Sequence, residues 1–248
     1  MPADFPYVYP YSRGEARERK EIQRYEDSFR ENVKCARAIE QAIRDHFHET
    51  DETLNEGCAQ SVLEAYGFKR VWFVLSNSLR EMGLPRLISD DIRQWGQRPF
   101  VPPDGKNNRY FAADTAAGLL ESFIRQTKEA YQALELFEGT HCLAGSEGLD
   151  YEGKVLVLSP DTLKERYWSP QNQLWLAVDG FGCSPDASGR AVYATCLGDG
   201  EKTRWNRGDF TGVLDERYLP DWAAKKLAEL QGAQQEQPKA PSGGMEMT

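Results

Sequence analysis

Apolar residues return at steps of three and four through the first part of this chain, and after residue 148 that period is lost. Tyr25, Phe29, Val33, Ala36, Ile39, Ile43 and Phe47 draw one stripe; Ala116, Leu119, Leu120, Phe123, Ala130, Tyr131, Leu134 and Phe137 draw another. Residues spaced in this way lie on one face of an α-helix, so each stretch needs a partner surface on which to bury it. Beyond Gly145-Ser146-Glu147-Gly148 the apolar residues come as short runs cut by Pro, Gly and Asp, which is how strands joined by turns read. The two textures together give an α+β chain, with a helical N-terminal part and a small antiparallel-sheet C-terminal part. The predicted division is a helical domain over residues 1–145 and a small α+β domain over 149–231. A disordered tail is predicted over 232–248, where Gln, Pro, Gly and Ser displace apolar residues.

Local signals place the elements. Ser12 followed by Glu15 is a capping box and opens a helix expected to reach about His46, with a break near Asp27 and Ser28. A second helix is predicted over residues 53–66, stopped by Gly67. Phe68, Val71, Trp72, Leu75 and Leu79 mark a third, and Ser89 caps a short one holding Ile92 and Trp95. Residues 98–109 read as a loop rich in Pro and Asn, and Asp114 opens the next helix. Strands are predicted over 154–158, 174–178, 191–197 and 202–206, the last two joined through Gly198-Asp199-Gly200, with a closing helix over 219–230.

Charge and composition narrow the function classes. The net charge is −9 over 248 residues, without the cationic footprint that binding to phosphate backbones needs, so no direct nucleic-acid contact is expected. A protein partner with a basic surface, such as a basic nuclease surface, is the electrostatically easier one. The start of the chain lacks the basic and apolar segments of a secretory signal, and no apolar run approaches the roughly 20 residues that span a bilayer. Cys35, Cys58, Cys142, Cys183 and Cys196 are an odd set without CxxC spacing, which reads as reduced, buried thiols and a cytoplasmic protein. No cofactor and no metal are expected.

Few residues carry a pattern that chemistry requires. Glu152-Gly153-Lys154 at a strand start, with Asp150 nearby, has the carboxylate-x-lysine spacing of metal-dependent nucleases, a site that needs further carboxylates to hold Mg²⁺ by oxygen ligands. His141-Cys142 offers a base beside a thiol, although such pairs are made in space rather than by adjacency in sequence. His46 and His48 sit two apart, about 200° around a helix, so one ion cannot easily use both. Asp199-Gly200-Glu201 fits a hairpin turn better than a metal loop. Trp168, Trp175, Trp205 and Trp222 fall near Arg190, Arg204 and Arg207. Trp and Arg are frequent anchors of protein interfaces, which makes Trp168, Trp175, Arg204, Trp205 and Arg207 candidate binding residues. The alternative for these tryptophans is a core beneath a small sheet.

Two groups of segments carry a family resemblance. The first is Tyr9-Pro10-Tyr11-Ser12, Asn32-Val33-Lys34-Cys35 and Tyr66-Gly67-Phe68-Lys69-Arg70-Val71. The second is Leu156-Val157-Leu158-Ser159-Pro160, Gly180-Phe181-Gly182-Cys183-Ser184-Pro185 and Leu197-Gly198-Asp199-Gly200-Glu201. Together, from about Tyr9 to Leu230, they resemble an uncharacterised domain family encoded on conjugative elements and phages of intestinal Gram-positive bacteria. Where that family has an Asp-Gly-Arg turn this chain reads Leu84-Pro85-Arg86, and only the arginine matches. The resemblance brings no catalytic residues. It implies a role in transfer, establishment or evasion of host defence, including inhibition of CRISPR–Cas nucleases. The function expected is therefore a non-enzymatic interaction protein of a mobile element; the alternative is a metal-dependent nuclease or other hydrolase centred on Asp150, Glu152 and Lys154.

Overall fold

At the start of the chain the capping box forms as its residues dictate. Ser12 Oγ accepts the Glu15 N–H, and the Glu15 carboxylate accepts the Ser12 N–H at 2.9 Å, which opens α1 (Arg13–Glu18). The computed structural model describes residues 7–48, 53–83, 88–97 and 110–235. It falls into two units. The first comprises Met1–Glu135 with Lys164–Arg166, and the second Leu136–Leu163 with Tyr167–Thr248.

In the first unit α1 does not run on into the long stripe. The break falls at Lys20, where φ is +60°, and not at Asp27 and Ser28. The Arg19 guanidinium lies 3.6 Å from the centre of the Tyr11 ring, and the Glu21 N–H turns back to the Ala16 carbonyl at 2.8 Å. Ser28 stays helical because its hydroxyl has a different task, accepting the Tyr9 N–H at 2.9 Å. The stripe then forms α2 (Ile22–His46). The helix predicted over 53–66 is shorter than expected. Phe47–His48 (β1) and Thr53–Leu54 (β2) pair as a small antiparallel ladder, residues 56–59 turn, and α3 (Gln60–Tyr66) begins only after them.

Helix α4 (Phe68–Glu81) is the centre of this unit, with every residue from Arg70 to Leu79 buried. A helix that is apolar on one face only could not sit there; this one is covered by the elements around it. It packs with α2, α3, α5 (Asp90–Gly96) and α6 (Ala117–Gln132). The Trp72 ring stacks on Trp95 at 4.2 Å, and its Nε1–H donates to the Trp95 carbonyl at 2.9 Å. Helix α6 starts at Ala117 rather than at Asp114, because the Asp114 N–H is held by Glu40 Oε1 at 3.0 Å. Leu84-Pro85-Arg86 and the loop expected over 98–109 lie outside the described residues.

Two charged side chains fasten α4. Arg70 is buried at 1% exposure, and its guanidinium donates to the Ser28 and Tyr7 carbonyls, each at 3.1 Å, and to Asn32 Oδ1. Ser28 and Asn32 are one turn apart on α2, so one fork reaches both. Burial pulls the Arg70 pKa below the ordinary guanidinium range, with nearby acidic groups opposing the shift. At the N-terminus of α4 the Glu165 carboxylate accepts the Phe68 N–H at 2.6 Å and the Lys69 N–H at 2.9 Å. Burial raises its pKa, and these two N–H groups pull it back down. An anion facing the positive end of a helix and taking two orphan N–H groups stabilises that end. Replacing Glu165 by alanine is expected to remove about 1 to 2 kcal/mol of stability. Urea unfolding followed by tryptophan emission from the Trp72–Trp95 stack measures this, and an unchanged midpoint would mean that water caps α4 equally well.

The second unit is built on a five-stranded antiparallel sheet of order β6-β5-β4-β3-β7. Its strands are β3 (Val155–Leu158), β4 (Leu174–Asp179), β5 (Ala191–Cys196), β6 (Lys202–Asn206) and β7 (Phe210–Val213), with α7 (Pro170–Gln173) ahead of β4. Helix α8 (Asp221–Gln235) closes the unit. Val157, Leu174 and Leu176 form a core with Phe137, Leu197, Leu214 and Ala223, against which Trp222, Leu227 and Leu230 pack. Side chains alternate across a sheet, so Leu156, Trp175 and Cys196, neighbours in register, occupy the other face. The unit begins at Leu136 rather than at residues 145–148. Phe137 joins its core, the Phe137 N–H donates to Gln173 Oε1 at 2.8 Å, and the Leu143 N–H pairs with the Val213 carbonyl at 2.9 Å. The tail expected from residue 232 is helical as far as Gln235, and residues 236–248 lie outside the described ones. Among the described residues no helix is long and apolar enough to cross a membrane.

Candidate functional site

Asp150, Glu152 and Lys154 belong to an exposed turn that leads into β3. Asp150 Oδ1 accepts the Glu152 N–H at 2.9 Å, the Lys154 N–H returns to the Tyr151 carbonyl at 2.9 Å, and the Gly153 N–H reaches Ala177 at 2.9 Å. These bonds shape a turn, and Asp150, Glu152 and Asp179 all lie within electrostatic reach of the Cys183 thiol. Among the described residues no three His, Cys, Asp or Glu side chains gather as a metal-holding group. Asp199-Gly200-Glu201 is likewise a turn: Asp199 Oδ1 accepts the Glu201 N–H at 2.9 Å, and the Cys196 N–H closes onto the Glu201 carbonyl at 2.8 Å.

His141 and Cys142 are each occupied by local bonds. His141 Nδ1 accepts the Glu138 N–H at 2.9 Å, and the ring meets Tyr218 edge-on at 5.0 Å. The Cys142 thiol faces the Glu138 carbonyl at 3.7 Å, and burial pushes its pKa up to about 11. A thiol held protonated is a poor nucleophile. Burial does the same to Cys58 and Cys183, up to about 11, and to Cys35, up to about 12. His46 Nδ1 lies 2.9 Å from the Ala42 carbonyl, whereas His48 Nε2 meets Asn55 Oδ1, so the two rings serve different partners.

The candidate binding residues lie in different surroundings. Trp168 and Trp175 are core side chains, exposed by only 8% and 4%, with their Nε1–H groups donating to the Pro160 and Asn172 carbonyls at 2.9 and 2.8 Å. Trp205 is half-buried, packed edge-on against Trp175 at 5.3 Å, and Trp222 covers the core beneath α8. Arg207 is a clamp. Its guanidinium donates to the Gly182 and Cys183 carbonyls at 2.9 and 2.7 Å and to the Glu147 and Leu149 carbonyls at 2.7 Å each, while lying 3.7 Å from the Tyr151 ring centre. Of the five, only Arg204 is exposed, and its guanidinium makes no hydrogen bond or ion pair among the described residues.

What the Arg207 clamp holds is the feature that sequence reasoning missed. Gly180-Phe181-Gly182-Cys183 makes one tight turn after β4, closed by the Cys183 N–H to the Gly180 carbonyl at 2.9 Å and fastened by the Tyr151 N–H to the Cys183 carbonyl at 2.9 Å. A Cβ on Gly180 would stand 2.3 Å from the Ala191 carbonyl oxygen, and one on Gly182 would stand 2.3 Å from that of Arg190. Only glycine allows backbone to press on backbone so closely. Between the two glycines Phe181 is 79% exposed, the most exposed large apolar side chain of the described residues. Tyr193, 51% exposed, abuts Gly180 and stands opposite Arg204 in the β5–β6 register. The clue in the sequence was Gly-Phe-Gly, a bulky apolar residue between two small ones. It passes as an ordinary turn because neither exposure nor the carbonyls behind the glycines can be read from the letters.

The family model described as a protein of unknown function, DUF3849, matches residues 8–132, just over half of the chain. The chain belongs to the DUF3849 family. No curated protein and no solved structure matches it. The DUF3849 match lies within the helical unit and contains α4 with its Arg70 fastening. Three of the segments quoted above, residues 9–12, 32–35 and 66–71, meet there. Tyr9 bonds to Ser28, Asn32 accepts from Arg70, and Tyr66 and Cys35 lie within electrostatic reach of Arg70. In this chain these matched segments are thus fastened to one another through Arg70 and Ser28, and the Phe181 turn lies beyond the matched residues.

Proposed function

We propose that this chain is a non-enzymatic interaction protein. Its resemblance to proteins of conjugative elements and phages supports a role for a mobile element, through binding a component of host defence such as a CRISPR–Cas nuclease. The observation that carries the binding reading is Phe181, an apolar side chain left in water on a turn whose backbone is held by an arginine clamp and two close-packed glycines. An exposed aromatic on a backbone already held in place loses less entropy when it docks, which is what an interface anchor needs. An enzyme needs convergent polar groups instead, and the best sequence candidates for these lie in exposed turns.

In cells with an active CRISPR–Cas system, expression of the protein is expected to raise the establishment of a targeted plasmid. Glu152→Ala and Lys154→Ala should retain that effect in full. If purified protein with Mg²⁺ or Mn²⁺ cuts nucleic acid, and Glu152→Ala abolishes cutting while the fold survives, the hydrolase reading replaces this one.

A further inference from the structure

From the charges around Phe181 we infer the chemistry of the partner, an inference that rests on the interaction reading above. It is a protein with an apolar pocket bordered by carboxylates, which takes Phe181 as its anchor and faces Arg204, and Arg190 beside it.

Three observations converge. The turn that carries Phe181 is closely packed, with the carbonyls of Arg190 and Ala191 behind Gly182 and Gly180 and the base of the Phe181 side chain against Gly189. The exposed apolar surface continues onto Tyr193, whose ring lies against Gly180, and the neighbouring Val178 is 39% exposed. The cations beside it are unused. Arg190 and Arg204 are exposed and their guanidinium groups make no hydrogen bond or ion pair among the described residues, whereas of the carboxylates within electrostatic reach of Cys183 Asp179 is turned onto the Gly180 N–H, Asp150 accepts the Glu152 N–H, and Glu152 is exposed. An aromatic anchor flanked by free guanidinium groups is complementary to a pocket with an acidic rim.

The net charge of −9 pointed to a basic partner, but net charge governs long-range approach and local charge governs contact. The same acidity argues against a nucleic-acid strand stacking on Phe181 and Tyr193. Strand binding needs a continuous basic groove along the phosphates, which two arginines do not supply.

The full-length protein, Phe181→Ala and Arg204→Glu are immobilised and exposed to extract of the bacterial host, and bound proteins are quantified by mass spectrometry. The leading protein retained by wild type is then purified and titrated against all three. The expected result is a loss of affinity of about thirtyfold for Phe181→Ala, and a loss for Arg204→Glu that is recovered when a rim carboxylate of the partner is replaced by lysine. Thermal melts confirm that both variants fold, as exposed positions allow. A partner that binds all three equally overturns this inference and leaves the interaction reading standing. Retention of nothing by wild type overturns both. Tight binding of oligothymidylate, lost in Phe181→Ala, would show that the surface serves nucleic acid and not a protein.

Discussion

Replacing Arg70 by methionine is expected to remove about 3 to 4 kcal/mol of stability, the largest effect of any single change considered. Methionine fills much of the same volume, so the loss does not come from a cavity. It comes from the Tyr7 and Ser28 carbonyls and the Asn32 amide oxygen, buried acceptors left without the donor they face. Lysine should recover only part, since a single ammonium cannot span acceptors on both the N-terminal segment and α2. Hydrogen exchange read by mass spectrometry locates the damage: protection should fall in α2 and α4. If Arg70→Met melts with wild type, apolar packing alone holds α4 and the fastening is incidental.

Arg207→Lys should cost about 3 kcal/mol, and its effect should be local before it is global. The guanidinium serves four carbonyl oxygens from two stretches of chain, at Glu147 and Leu149 and at Gly182 and Cys183, and lies 3.7 Å from the centre of the Tyr151 ring. Lysine keeps the charge and loses the fork, so most of those bonds go. Exchange should quicken at residues 147–151 and 180–183 while β3, β4 and β5 keep most of their protection. The Phe181 turn would then be mobile, and partner affinity should fall even though Phe181 itself is intact. Combining Arg207→Lys with Phe181→Ala should therefore cost less than the two losses added, because both act on one anchor. Full additivity would mean that the clamp and the anchor are unrelated.

The parts of the fold legible in the sequence are those in which burial repeats with a fixed period. Phe29, Val33, Ala36, Ile39 and Ile43 announce α2, and Val71, Trp72, Leu75 and Leu79 announce α4, because one face of each meets the core at every turn. The interruption at Lys20 carries no Gly or Pro. It arises from tertiary bonds of Arg19, Glu21 and Tyr9 that no local pattern encodes. Strand β7 was hidden for a related reason. Phe210-Thr211-Gly212-Val213 is short and holds a glycine because Ser146 and Cys142 crowd it, a Cβ there falling 2.9 Å from Ser146. At the candidate site, composition led to Trp and Arg and could not separate core from surface. Trp168 and Trp175 went inward, and Arg207 proved to be a fastener. The proposed anchor is Phe181, on a turn whose backbone its neighbours hold.

Glu165 bears on when this molecule can finish folding. It lies 97 residues after Phe68, the N–H group it caps, and past the end of the family match at residue 132. As the chain leaves the ribosome, every apolar residue of α4 and of its neighbours is present well before the anion that closes the helix start. The helical unit can collapse early, but its central helix waits with two unanswered N–H groups until residue 165 emerges. A polypeptide ended at the family boundary would remain in that unfinished condition.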